Sequence, residues 1–181
     1  MKNSLNAFSA LWALALLLLA PVCAAAALEE TYRLGTGDKI QIRVFGEEDL
    51  SLETRVGDAE VINYPFLGEV RVGDLTPKQL EARLVEGLKP GYLVDPSVSV
   101  SILEYRNFYI YGEVGEPGGY AFSPGLTVRN AVAMAGGFTE RASRSKIFVV
   151  HEDDPAARTN SIDINERVRP GDTITIEQSF F

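Results

Sequence analysis

His151 and Cys23 are the single histidine and the single cysteine of the 181-residue chain, so the side chains that most often bind metals or act as nucleophiles are scarce. Glu152, Asp153 and Asp154 follow His151. A zinc site needs three or four converging ligands, and one histidine at a strand end does not supply them; it reads as a surface histidine beside a loop. Glu47, Glu48 and Asp49 form an acidic run without the ligand spacing of a calcium loop, and read as a solvated turn. No serine stands in a Gly-x-Ser-x-Gly elbow. Gly35-Thr-Gly-Asp38 could cradle a phosphate only if a helix followed, and the alternation of Ile40, Ile42 and Val44 announces a strand instead. The remaining carboxylates sit singly in turns, which leaves a secreted carbohydrate hydrolase unsupported. No catalytic, metal-binding or cofactor-binding residue is assigned.

Tyrosines carry more promise. Tyr105, Tyr109, Tyr111 and Tyr120 fall around one expected hairpin. An aromatic face with a hydroxyl at its tip suits stacking on sugars or filling a subunit interface, and equally suits filling a small core. Sequence alone leaves those alternatives open.

The elements that must position them follow from periodicity. Val61 to Ile102 reads as strand, turn, strand, helix, loop, strand. Thr76, Pro77 and Gln79 make a capping box with proline at the first helical position. Leu80, Leu84 and Leu88 fall four apart on the apolar face, with Lys78, Glu81, Arg83 and Glu86 on the wet one. Val98, Val100 and Ile102 alternate with serines, a half-buried strand. Beyond a boundary near Leu103 to Tyr105, Phe108 and Ile110 point to one face of a strand and Tyr109 and Tyr111 to the other. A strand apolar on both faces is central in a sheet or lies under a partner. Thr127 caps a helix from Val128 to Ala135 with a small-residue face, ended by Gly136-Gly137. Strands are expected at Lys146 to His151 and, briefly, at Ile162 to Ile164. Arg169-Pro-Gly-Asp172 and the strand after it repeat the turn-then-strand grammar of Gly35 to Ile42. The fold class is α+β: two small sheet-plus-helix domains, the second β-grasp-like.

Seventeen basic against 25 acidic side chains give a formal net charge of −8, without the basic face a nucleic-acid partner requires. Lys2, the apolar run Leu11 to Ala20 and the small residues up to Ala27 form a cleaved secretion signal. Cys23 follows the apolar run, but Ala20-Pro21-Val22 is a poor lipobox, so lipidation of Cys23 is disfavoured and the residue leaves with the signal. The expected organisation is a signal peptide at 1–27 and domains at 28–104 and 105–181.

Several motifs in their order resemble a known family. Leu34-Gly-Thr-Gly-Asp-Lys-Ile-Gln-Ile-Arg-Val, Tyr64-Pro-Phe-Leu-Gly-Glu-Val, Leu75-Thr-Pro-Lys-Gln-Leu and Asp95-Pro-Ser-Val-Ser-Val are similar to the polysaccharide biosynthesis/export domain. Tyr111-Gly-Glu-Val-Gly-Glu-Pro-Gly-Gly-Tyr, Leu126-Thr-Val-Arg-Asn-Ala-Val-Ala-Met-Ala-Gly-Gly-Phe and Arg169-Pro-Gly-Asp-Thr-Ile-Thr-Ile resemble the SLBB (soluble-ligand-binding β-grasp) domain. The resemblance, to outer-membrane polysaccharide export proteins, implies a non-enzymatic, periplasmic, outer-membrane-associated subunit that forms homo-oligomeric rings and conducts capsule, exopolysaccharide or biofilm polysaccharide. It also implies docking to an inner-membrane polysaccharide co-polymerase. Larger members add a C-terminal amphipathic helix that walls an outer-membrane pore. This sequence ends at Gln178-Ser-Phe-Phe181, so a separate outer-membrane β-barrel is expected to supply the exit. The competing reading is a monomeric periplasmic module that binds a glycan or small ligand.

Overall fold

The computed structural model describes residues 32–179 apart from residue 90. The expected signal peptide, Cys23 and the terminal Phe181 lie outside the described residues.

The N-terminal half is built on β1 (Lys39–Val44), the centre of an antiparallel sheet ordered β2-β1-β5, with β2 at Leu52–Arg55 and β5 at Val98–Glu104. Its alternation works as the period of two demands: Ile40, Ile42 and Val44 are buried, and Ile42 lies opposite Leu52 on one side and Val100 on the other. A hairpin, β3 (Val61–Tyr64) and β4 (Gly68–Arg71), adds Ile62, Tyr64 and Val70 to the same core. Helix α1 (Pro77–Leu88) closes it with Leu80, Leu84 and Leu88, all at 0% exposure. The capping box is present in full: Thr76 Oγ1 accepts from the Gln79 amide at 3.2 Å, and Gln79 Oε1 accepts from the Thr76 amide at 2.9 Å. Glu81, placed by periodicity on the wet face, is instead half-buried, and its Oε1 accepts the Val100 amide at 2.8 Å. β5 is an edge strand, and the helix thereby occupies one of its open donors.

The C-terminal half is a five-stranded mixed sheet ordered β7-β6-β10-β8-β9. Strands β6 (Phe108–Gly112) and β7 (Gly118–Tyr120) form a hairpin, and helix α2 (Val128–Met134) crosses one face. Strands β8 (Ala142–Val150) and β9 (Asn160–Ser161) follow, and β10 (Thr173–Gln178) enters the middle, parallel to β6 and antiparallel to β8. That is a β-grasp. Phe108, Ile110, Ile147, Val149, Ile174 and Ile176 face the helix residues Val128, Ala131, Val132 and Ala135 across its core. Thr127 Oγ1 accepts from the Asn130 amide at the helix start. At Gly112 (φ +87) a Cβ would run into the Ile176 carbonyl oxygen on β10, so only glycine permits β6 and β10 to approach there.

Three expectations shift. The strand expected at Lys146 begins at Ala142, and the extended piece expected at Ile162 to Ile164 pairs instead at Asn160–Ser161, leaving Ile162 to plug the core. β6 lies between β7 and β10, yet only its Phe108–Ile110 face is covered; Tyr109 and Tyr111 stand open.

Candidate functional site: the junction and its aromatic cleft

The repeated turns of the sequence share a construction. In Gly35–Asp38 the Asp38 carboxylate accepts the Gly35 amide at 2.9 Å, and in Arg169–Asp172 the Asp172 carboxylate accepts the Arg169 amide at 2.8 Å. Each aspartate thus closes its own turn three residues back and is left almost without solvent contact, at 0% and 1%. A buried carboxylate is costly unless its remaining lone pairs are filled. Asp38 fills them with the Tyr32 hydroxyl at 2.8 Å, the Arg106 amide at 2.8 Å and Arg106 Nη1 at 3.2 Å. Asp172 fills them with His151 Nδ1 at 2.7 Å.

Arg106 stands between the two turns. Besides Asp38, its guanidinium donates to the Tyr32 hydroxyl and the Arg33 carbonyl and pairs with Glu152. It also lies over the Tyr32 ring at 5.4 Å, a cation–π contact. Burial works against its charge, but Tyr32, Asp38 and Glu152 more than offset that and hold the guanidinium above its usual range. Burial, and then the charge of Asp38, push the Tyr32 phenol far up, so it is a permanent donor. The next residues tie in the second turn: the Gly171 amide donates to the Asn107 carbonyl and the Tyr109 amide to the Asp172 carbonyl. The interdomain linker is therefore pinned to both halves.

His151 departs from the sequence reading. It is part-buried against Asp172 rather than a free surface residue. Burial raises the Asp172 carboxyl, opposed by the His151 and Arg169 contacts. A nucleophilic relay needs a hydroxyl or thiol on the other ring nitrogen, and among the described residues none is bonded there. No group of His, Cys, Asp and Glu that could hold a metal occurs among the described residues, nor does a helix long and apolar enough to cross a membrane.

The four tyrosines separate. Tyr105 is wedged at the junction, edge-on to Tyr32 at 5.0 Å and to Phe122 at 5.4 Å, and packs against both cores. Tyr120 stacks on Phe108 at 5.9 Å and donates its hydroxyl to the Glu116 carbonyl at 2.5 Å. Tyr109 and Tyr111 are 42% and 46% exposed, with ring planes 3° apart and centroids 6.5 Å apart. Tyr109 also lies over Gly119 of β7, where a side chain would collide with its ring. Tyr105 and Tyr109 line one cleft of about 760 Å³ between the halves, together with Arg55, Asn107 and Phe122. Sequence reasoning missed Asp38, Arg106 and Asp172 as a connected set; the recurrence of aspartate at the same place in both turns was the available signal.

Fold and junction together define a two-module scaffold, a β-grasp unit locked onto a second α+β unit with aromatic surface left open. Residues 26–103 match the polysaccharide biosynthesis/export protein family, and residues 107–158 match the SLBB domain. The chain thus carries a polysaccharide biosynthesis/export domain followed by an SLBB domain. It is 31% identical to the exopolysaccharide production protein ExoF of Rhizobium meliloti over 81% of its length and 37% of that protein's. It is 26% identical to the EPS I polysaccharide export outer membrane protein EpsA of Ralstonia nicotianae, over 81% and 47% respectively. The polysialic acid transport protein KpsD of Escherichia coli is 31% identical over 65% of this chain and 22% of its own. The chain spans less than half the length of each of these relatives. The SLBB match stops before β10, although that strand completes the β-grasp sheet.

Proposed function

We propose that this protein is a periplasmic subunit of a polysaccharide export machine, secreted through a cleaved signal and associated with the outer membrane. Copies assemble side by side into a ring, receive polymer from an inner-membrane co-polymerase, and pass it to an outer-membrane exit pore. The observation that carries the reading is the export domain and SLBB domain in series, in the order carried by the motifs. One open apolar surface supports assembly: Phe66 and Tyr92, 5.1 Å apart, with Phe45 and Val94 also exposed in the N-terminal half. Exposed apolar surface of that kind marks interaction sites.

Deleting the gene is expected to leave polymer trapped inside the envelope, measured by surface glycan staining and periplasmic carbohydrate. Mass photometry of residues 28–181 with the co-polymerase is expected to give an oligomer. Normal surface polymer in the deletion strain, with a chain that stays monomeric, would reject the reading. The exposed tyrosine pair favours one competitor, a monomeric glycan-binding module. That reading predicts saturable glycan binding in calorimetry with no change of mass.

A further inference from the structure

We propose that the junction cleft is a binding site for uncharged pyranose units, and that the Tyr109–Tyr111 strip extends it along the sheet. The inference rests on the polysaccharide-export reading and deepens it by naming a site and a sugar class. The cleft volume of about 760 Å³ falls within the span of small-ligand sites, roughly 300–1,000 Å³. Both halves line it: Arg55, Leu103 and Glu104 from one, Tyr109 and Phe122 from the other. The half-exposed Tyr109 ring offers an apolar face for the C–H side of a pyranose, with Tyr105 and Phe122 packed behind it as the floor. The Asn107 side-chain amide and the Ser123 hydroxyl also line the cleft and make no hydrogen bond to another described residue. They suit the ring hydroxyls, as donor and acceptor alike.

Charge selects the class. Arg106 is engaged by Asp38 and Glu152, and Arg55 by the Gly37 carbonyl and Glu104. Each cation in the cleft is thus already countered, in a chain of net charge −8. A polyuronate or a phosphate finds no uncompensated positive group there and is repelled at long range. From Tyr109 the track continues to Tyr111 on the same face of β6, flanked by Thr173 and Thr175 at the same registers of β10. Aromatic rings with hydroxyls beside them repeat the cleft's chemistry across a second sugar length.

Amide chemical-shift titration of residues 28–181 tests the site with cellotetraose, maltotetraose, chitotetraose and mannotetraose, against tetragalacturonate as the acidic probe. At least one neutral sugar should shift Asn107, Tyr109 and Ser123 saturably, and tetragalacturonate should not. Tyr109→Ser should weaken that binding about tenfold while a single cooperative thermal melt is retained. Asn107→Ala provides a second variant outside the sheet pairing. Tyr111→Ser should weaken binding of the tetraose and spare binding of the disaccharide of the same sugar, titrated alongside it. The site is overturned if no neutral sugar binds, if tetragalacturonate binds better, or if the shifts map away from the junction. Loss of surface polymer on deletion together with no sugar binding would sink the cleft and leave the export reading standing; binding without that phenotype would do the reverse.

Discussion

Arg106 satisfies a carboxylate that has no other cation beside it. Removing it strands Asp38 at 0% exposure with two neutral donors and its turn amide. Breaking one side of a buried pair costs about 3–5 kcal/mol, so Arg106→Ala should lose stability on that scale in urea unfolding. Arg106→Lys should recover part of the loss, since an ammonium restores charge without the planar fork. Asp172 behaves differently with pH. Burial raises its carboxyl above the ordinary 3.8, so the native state keeps that proton to higher pH than the unfolded chain. Its contribution to stability is full below the unfolded value and is lost as pH rises through the native one. Asp172→Asn stays neutral throughout, so its stability relative to the parent should improve from about pH 3.5 toward neutrality in paired denaturant titrations. A trend in the opposite direction would show that the His151 contact dominates. At this scale sequence showed the turns but not their purpose: the glycine–aspartate pairs were visible, whereas the partner Arg106, 68 positions beyond Asp38, had no local signature.

Elements were the most legible level, because capping and periodicity are local. Thr76, Pro77, Gln79 and the leucine spacing fixed α1 to the residue. Glu81 escaped because its role is to satisfy a strand edge that only the tertiary fold creates. The position of β10 escaped for the same reason: its alternation reveals a strand but not that it inserts between β6 and β8. Gly112 marks that insertion. Gly112→Ala combines a left-handed backbone with a collision against β10, and should cost well over the roughly 1 kcal/mol of an ordinary glycine site. Thr76→Ala removes one cap and should cost about 1 kcal/mol. Thermal melts of the two variants should therefore differ severalfold in their shifts; similar shifts would mean that β6 and β10 tolerate separation.

Whole-molecule organisation turns on what is left uncovered. β1 runs away from the junction, so Phe45 stands at the opposite end, where Phe66 and Tyr92 lie 5.1 Å apart. Phe66 holds a left-handed backbone (φ 64) while 66% exposed, an arrangement that costs roughly 1–2 kcal/mol for a residue with a Cβ and gains little from burial. Phe66→Gly should leave the melting temperature equal or higher, and should weaken assembly measured by mass photometry. A variant that loses stability but assembles normally would assign Phe66 to the fold instead. The open end could not be read from sequence, since an exposed aromatic and a core aromatic share one letter.

The parallel neighbours β6 and β10 are the first and last strands of the β-grasp unit. Tension applied between the linker at Arg106 and the end of β10 runs along both strands in opposite senses. Their cross-strand bonds are then loaded together in shear rather than peeled in succession, and β8 braces the far side of β10. The C-terminal half is thereby arranged to resist stretching along the chain.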